Sequence, residues 1–99
     1  MAFPGADGEA RKLQRLMSDH LDHDAVKVRP YGHHLVMDMT RDHDTYPVAR
    51  LTRLEPGQYG LGFRLHTGRW DPMPVEGSIE EVARFAAQML APYFDTSNY

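Results

Sequence analysis

Apolar residues recur at three- and four-residue steps between Gly8 and Asp22. Ala10, Leu13, Leu16, Met17 and Leu21 share one side, while Arg11, Lys12, Gln14, Arg15 and Asp19 cover the other. That period predicts an amphipathic helix, with Asp7 as its N-cap and Glu9 well placed against the helix dipole. A second helix begins at Ser78, because Glu81 three residues on completes a capping box in which each side chain satisfies the other's free backbone donor. Ile79, Val82, Ala86, Met89 and Leu90 trace its apolar stripe with Phe85 beside it, and Pro92 ends it near Ala91.

Between these helices the period falls to two. Val26 and Val28 alternate with Lys27 and Arg29, and Leu35, Met37 and Met39 alternate with His34, Val36 and Asp38. With Pro30-Tyr31-Gly32-His33 as the turn, Arg29 faces His34, Val28 meets Leu35 and Val26 meets Met37, so both apolar rows share a face. A second hairpin runs from Val48–Leu54 into Tyr59–His66 through Glu55-Pro56-Gly57-Gln58, with Tyr59, Leu61, Phe63 and Leu65 on one side. Its first strand has two registers, one turning Arg50 and Thr52 inward and the other Ala49 and Leu51. The second is preferred, since burying an unpaired arginine costs more than a bulge. Thr67-Gly68 suits a two-residue turn that sets Trp70 beside Leu65 and Asp71 beside Arg64. A short fifth strand then ends at Asp71-Pro72-Met73-Pro74, where prolines imply a sheet edge.

The order is helix, four or five strands, helix. The expected fold is an α+β two-layer domain: a four- to five-stranded antiparallel meander with an N-terminal and a C-terminal helix packed on one face. Residues 1–99 form one domain, with a short flexible start over 1–6 and a polar tail over 95–99.

Composition narrows the chemistry. At 99 residues, 41% of them apolar, the chain supports a single modest core. It has no cysteine, which removes disulfides, thiolate metal sites and cysteine nucleophiles together. No apolar run approaches the roughly 18 residues of a membrane span, and the first residues lack a signal-like basic and apolar pattern, so a cytoplasmic protein is expected. Nine arginines against two lysines suggest a GC-rich, bacterial genome. A net charge of −3 argues against a dedicated duplex binder.

Two groups of residues could carry function. The meander brings Asp22-His23-Asp24 and Asp42-His43-Asp44 to one rim, with His66 in reach and His20 three residues before His23. Imidazole and carboxylate suit zinc or manganese, so His23, Asp24, His43 and Asp44 are the candidate ligands of a small metal-dependent hydrolase. The spacing matches no ligand signature, and Asp/His loops are most often simply solvated.

The other group lies on the sheet face away from the helices. Lys27, Arg29, His34, Asp38, Arg64 and His66 fall there, joined by Arg50 or Arg53 according to register. Arg29, His34, Asp38, Arg53, Arg64 and His66 form the candidate binding face, and Gly60 and Gly62 are expected to leave part of it bare. The segment 45–70 is locally +3 and 71–99 is −4, a segregation suited to self-association or to a protein or small anionic partner. With Tyr59, Phe63 and Trp70 expected in the core, the open face has no aromatic among its basic residues, so nucleic acid is not an expected partner. Nothing pairs a nucleophile with a base. The functional expectation is therefore a noncatalytic, cofactor-free interaction or regulatory module, homodimeric through its open face or a free edge strand.

Overall fold

A computed structural model describes residues 2–94. The chain runs α1 (Ala6–Leu21), β1 (Val26–Tyr31), β2 (His34–Arg41), β3 (Asp44–Glu55), β4 (Gln58–Arg64), β5 (Trp70–Gly77) and α2 (Ile79–Met89), then a 3-10 turn over Ala91–Phe94. The strands pair antiparallel in chain order, and both helices pack on one face of the sheet. The architecture is the expected α+β two-layer meander, with all five strands present.

Leu13 and Met17 of α1, Val82 and Ala86 of α2, and Phe94 are fully buried against Val26, Leu35, Met37, Met39, Leu51 and Tyr59 of the sheet. Each large side chain contributes about 1.5–3 kcal/mol by leaving water. The 11-residue α2 needs that contribution, because a helix so short is marginal by itself. Its capping box forms as expected: Glu81 N–H donates to Ser78 Oγ at 3.1 Å and Ser78 N–H to Glu81 Oε1 at 3.0 Å. Ala83 and Ala87 join the buried stripe, whereas Met89 is exposed.

The start of the chain departs from expectation. Asp7 is not the N-cap; that position is Gly5, at φ +81°, with no side-chain capping hydrogen bond. Phe3 is buried, and its N–H donates to Gly32 O at 3.2 Å. The polar tail 95–99 lies outside the described residues.

The first hairpin keeps its predicted faces in a different register. Val26 lies opposite Met39, Val28 opposite Met37 and Tyr31 opposite His34. The turn is Gly32-His33 alone, with Gly32 at φ +59°, so Pro30 and Tyr31 stay in the strand. Each pairing moves by two residues, which preserves the side of every side chain. β3 starts four residues earlier than expected, because Asp42 and His43 both take positive φ and make a two-residue hairpin turn. In the second hairpin Leu51 faces Leu61 and Ala49 faces Phe63, the preferred register, with a bulge at Arg53/Glu55.

The last hairpin inverts its expectation. Leu65 N–H donates to Arg69 O at 2.8 Å and Gly68 N–H to Leu65 O at 2.9 Å, closing a three-residue loop with Gly68 at φ +90°. One residue more than the expected two-residue turn puts Trp70 opposite Arg64 and Asp71 opposite Phe63. Trp70 thereby moves from the helix side to the open face, and the expected Arg64–Asp71 pair does not form.

Both edges are guarded against an added strand. The Val28 N–H on β1 donates to Gln14 Oε1 of α1 at 2.9 Å, and Pro30 follows in the same strand. On β5, Pro72 and Pro74 have no N–H to offer.

Candidate functional site on the open sheet face

Strand parity assigns each side chain to a face. With Val26, Val28, Met37, Leu51 and Leu61 inward, Lys27, Arg29, Tyr31, His34, Val36, Asp38, Arg50, Thr52, Arg64, Trp70 and Glu76 fall outward. Of the predicted binding face, Arg29, His34, Asp38 and Arg64 are there. Arg53 is not: opposite Tyr59, it points to the helix side, where its guanidinium lies 4.9 Å from the Phe3 ring centroid. An arginine at the sheet end reaches an aromatic surface there without full burial, so turning Ala49 and Leu51 inward buries no unpaired charge. Arg50 takes the outward place. His66 sits exposed in the β4–β5 loop, beyond the strands.

The centre of the face is a cluster that the sequence reading did not assemble. The guanidinium carbons of Arg50 and Arg64 lie 4.4 and 5.2 Å from the Trp70 ring centroid. Such stacking orients a guanidinium while leaving its N–H edges free for an oxyanion. Among the described residues neither arginine has a carboxylate within salt-bridge distance. Partial burial and Arg64 nearby push the Arg50 pKa down from its ordinary value, so the pair stores a local repulsion that an anion would relieve.

The surrounding residues fix this geometry. Gly62 lies beneath the cluster; a Cβ there would stand 3.5 Å from Arg50 Cγ and 3.8 Å from Trp70 Cε3. Leu54 lies similarly over Gly60, so the two glycines are roofed by neighbouring side chains rather than left bare. Arg50, Thr52, Leu54, Trp70 and Glu76 border a shallow cleft of about 370 Å³ over this strip. Val36, between Arg29 and Arg50 in the register, is only 3% exposed on a face no helix covers, because long arginine stems flank it.

Arg29 Nε donates to Asp38 Oδ2 at 2.6 Å, so this cation is already partnered. Asp38 is 5% exposed, and its Oδ1 finds no donor among the described residues. His34 Nδ1 shares a 2.9 Å hydrogen bond with Thr52 Oγ1. Burial, then Arg50 and His33, lower the His34 pKa and favour the neutral ring. Among the described residues, Lys27, Arg29, Arg50 and Arg64 share this face with Asp38 and Glu76, so the face is basic on an acidic chain.

The metal candidates behave differently. His23 Nδ1 accepts the Ala25 N–H at 3.1 Å, which leaves Nε2 as the protonated nitrogen donating to Phe94 O at 2.7 Å. Both ring nitrogens are committed to holding the α1–β1 loop against the 91–94 turn. His43 is exposed at its hairpin turn, as are Asp24 and Asp44. No three histidine, aspartate or glutamate side chains group as a metal site among the described residues.

A larger, more apolar cleft of about 930 Å³ opens where β3 begins and β4 ends, lined by Tyr46, Val48, Phe63 and Tyr93 with Arg64 and His66 at its rim. Phe63 and Tyr93 meet edge to face at 4.9 Å there.

Compared with protein-family models, curated proteins and solved structures, the chain matches none. No helix among the described residues is long and apolar enough to cross a membrane. The reading of the site therefore rests on its own chemistry.

Proposed function

We propose that the protein is a noncatalytic interaction module that docks a negatively charged partner on its open sheet face. The observation that carries this reading is the pair Arg50 and Arg64, both held against Trp70 and neither matched by a carboxylate among the described residues. Two fixed guanidinium groups a few ångströms from one ring make a ready oxyanion site, because little side-chain freedom remains to be lost on binding.

The expected homodimer fits this face less well in its symmetric form. A two-fold contact would set Arg50 and Arg64 against their own copies, and the guarded edges oppose strand-to-strand pairing. Segregation of charge favours a different second reading, a head-to-tail contact between the basic face of one copy and the acidic 71–99 region of another. A cytoplasmic, bacterial setting fits the cysteine-free, arginine-rich composition.

Trp70 is the sole tryptophan, so its emission reports the site directly. Titration with tripolyphosphate should change that emission, and added salt should reverse the change. An emission that ignores polyanions at low salt overturns the docking reading. Native mass spectrometry separates the second reading: a salt-sensitive dimer lost on Arg50→Glu supports the head-to-tail contact, and a monomer rejects it.

A further inference from the structure

The face offers more than charge. Trp70 stands among arginines on its β5 side, and Tyr31, 66% exposed, stands on the same face at the opposite β1 edge. Four strand spacings of about 4.8 Å separate those edges, roughly 19 Å across the sheet. Lys27, Arg29, Val36, His34, Arg50 and Arg64 occupy the ground between.

Two features narrow the partner. An extended acidic peptide binds a sheet most effectively by adding a strand at an edge, and here Gln14 and Pro30 guard one edge while Pro72 and Pro74 guard the other. Reading base edges in a duplex takes a helix or a two-stranded ribbon that enters a groove, whereas this face belongs to a five-stranded sheet with both helices on its other side. What remains is an open sheet face with an aromatic at each side and an excess of cations over Asp38 and Glu76 between, which rewards planar rings joined by phosphates.

We propose that the anionic partner of the open face is single-stranded nucleic acid, its phosphates on the N–H edges of Arg50 and Arg64 and its bases against Tyr31 and the guanidinium planes that Trp70 holds. Guanidinium stacked on indole keeps its N–H edges for phosphate oxygens, and both arginine planes and aromatic rings are surfaces on which unpaired bases stack. The sequence reading set nucleic acid aside because Trp70 was expected in the core; the three-residue loop at 66–68 places it on the basic face and removes that ground. The proposal rests on the open face being an anion-docking surface.

The test titrates Trp70 emission at low salt with a single-stranded RNA of about twelve nucleotides, its duplex, and polyglutamate of equal charge. The single strand is expected to quench Trp70, and the duplex and polyglutamate to bind at least tenfold more weakly. Three cations without a carboxylate partner, Lys27, Arg50 and Arg64, predict a slope of log K against log salt of about −2. Arg50→Gln with Arg64→Gln should lower RNA affinity at least tenfold with an unchanged circular dichroism spectrum. Tyr31→Ala, at an exposed site that threatens no core packing, should cost about fivefold or more for RNA and nothing for polyglutamate. If polyglutamate binds as tightly as RNA, or duplex as tightly as single strand, the nucleic-acid proposal fails while the anion-docking reading stands. If no polyanion changes the emission, both fail.

Discussion

The two faces of the sheet share one backbone and differ in what each cross-strand row carries. On the helix side, Val28 faces Met37, which faces Ala49, which faces Phe63, and every neighbour removes apolar surface from water. One residue along, on the open side, Arg29 faces Val36, which faces Arg50, which faces Gly62. Arginine appears on both sides with different consequences. Arg53 leans on Phe3 at the sheet end and covers core, whereas Arg50 leans on Trp70 in the middle of a face that neither helix covers. The same stacking chemistry seals one side and arms the other.

That contrast is broken most severely from the helix side. Leu51→Ala, at a fully buried site, should cost about 2–5 kcal/mol in chemical denaturation while leaving the polyanion affinity of the folded fraction unchanged. Arg50→Glu should do the reverse, losing at least tenfold in polyanion affinity while costing no more than about 1 kcal/mol in stability through the lost cover of Val36 and Trp70. If either variant moves both readouts together, the two faces are not independent.

Smaller changes sharpen the picture at the margins. His23→Ala removes the link from the α1–β1 loop to Phe94 and should cost about 1 kcal/mol, with added zinc leaving the melting temperature of the parent unmoved. A zinc-dependent rise lost in that variant would restore the metal reading. Ser78→Ala should cost about 1 kcal/mol through the lost cap of α2, with no effect on the open face.

The smallest expected effect is a pH dependence. Because the folded His34 pKa lies below its ordinary value, the unfolded chain takes up that proton first, so stability declines as pH falls below about 6.5. His34→Gln should flatten that portion of a stability-versus-pH curve. Glu80 and Glu81 are held below the ordinary carboxylate range, by the Lys12 ammonium and by the Ser78 backbone N–H respectively. Their contribution is present at neutral pH and fades only as the pH falls through those lowered values.

Parity explains which parts of this molecule were legible in the sequence. The β1–β2 turn was misjudged by two residues, an even number, so every side chain kept its face and the core reading survived. The β4–β5 turn was misjudged by one, because Gly68 permits either a two- or a three-residue loop, and that single residue reversed Trp70. Val48–Leu54 resolved correctly because Leu51 inward and Arg50 outward is the only cheap arrangement of those two neighbours. Arg53 belonged with Ala49 and Leu51 by the same parity, a consequence that its charge obscured. The Arg50–Trp70–Arg64 cluster spans three strands and depends on two loop lengths, so no local pattern announces it. The role of His23 was hidden for a similar reason, since its partner Phe94 lies 71 residues away.

The link between His23 and Phe94 joins the α1–β1 loop, ahead of the whole sheet in the chain, to the 91–94 turn that follows α2. During synthesis the five strands leave the ribosome before α2 and the 91–94 turn, with α1 alone to shelter one side. Until those later residues emerge, the inner surface of β4 and β5 that α2 covers is bare, and the nascent sheet carries a wet apolar surface beside its basic one. Truncation within α2 would therefore yield an adhesive intermediate rather than a smaller version of the fold.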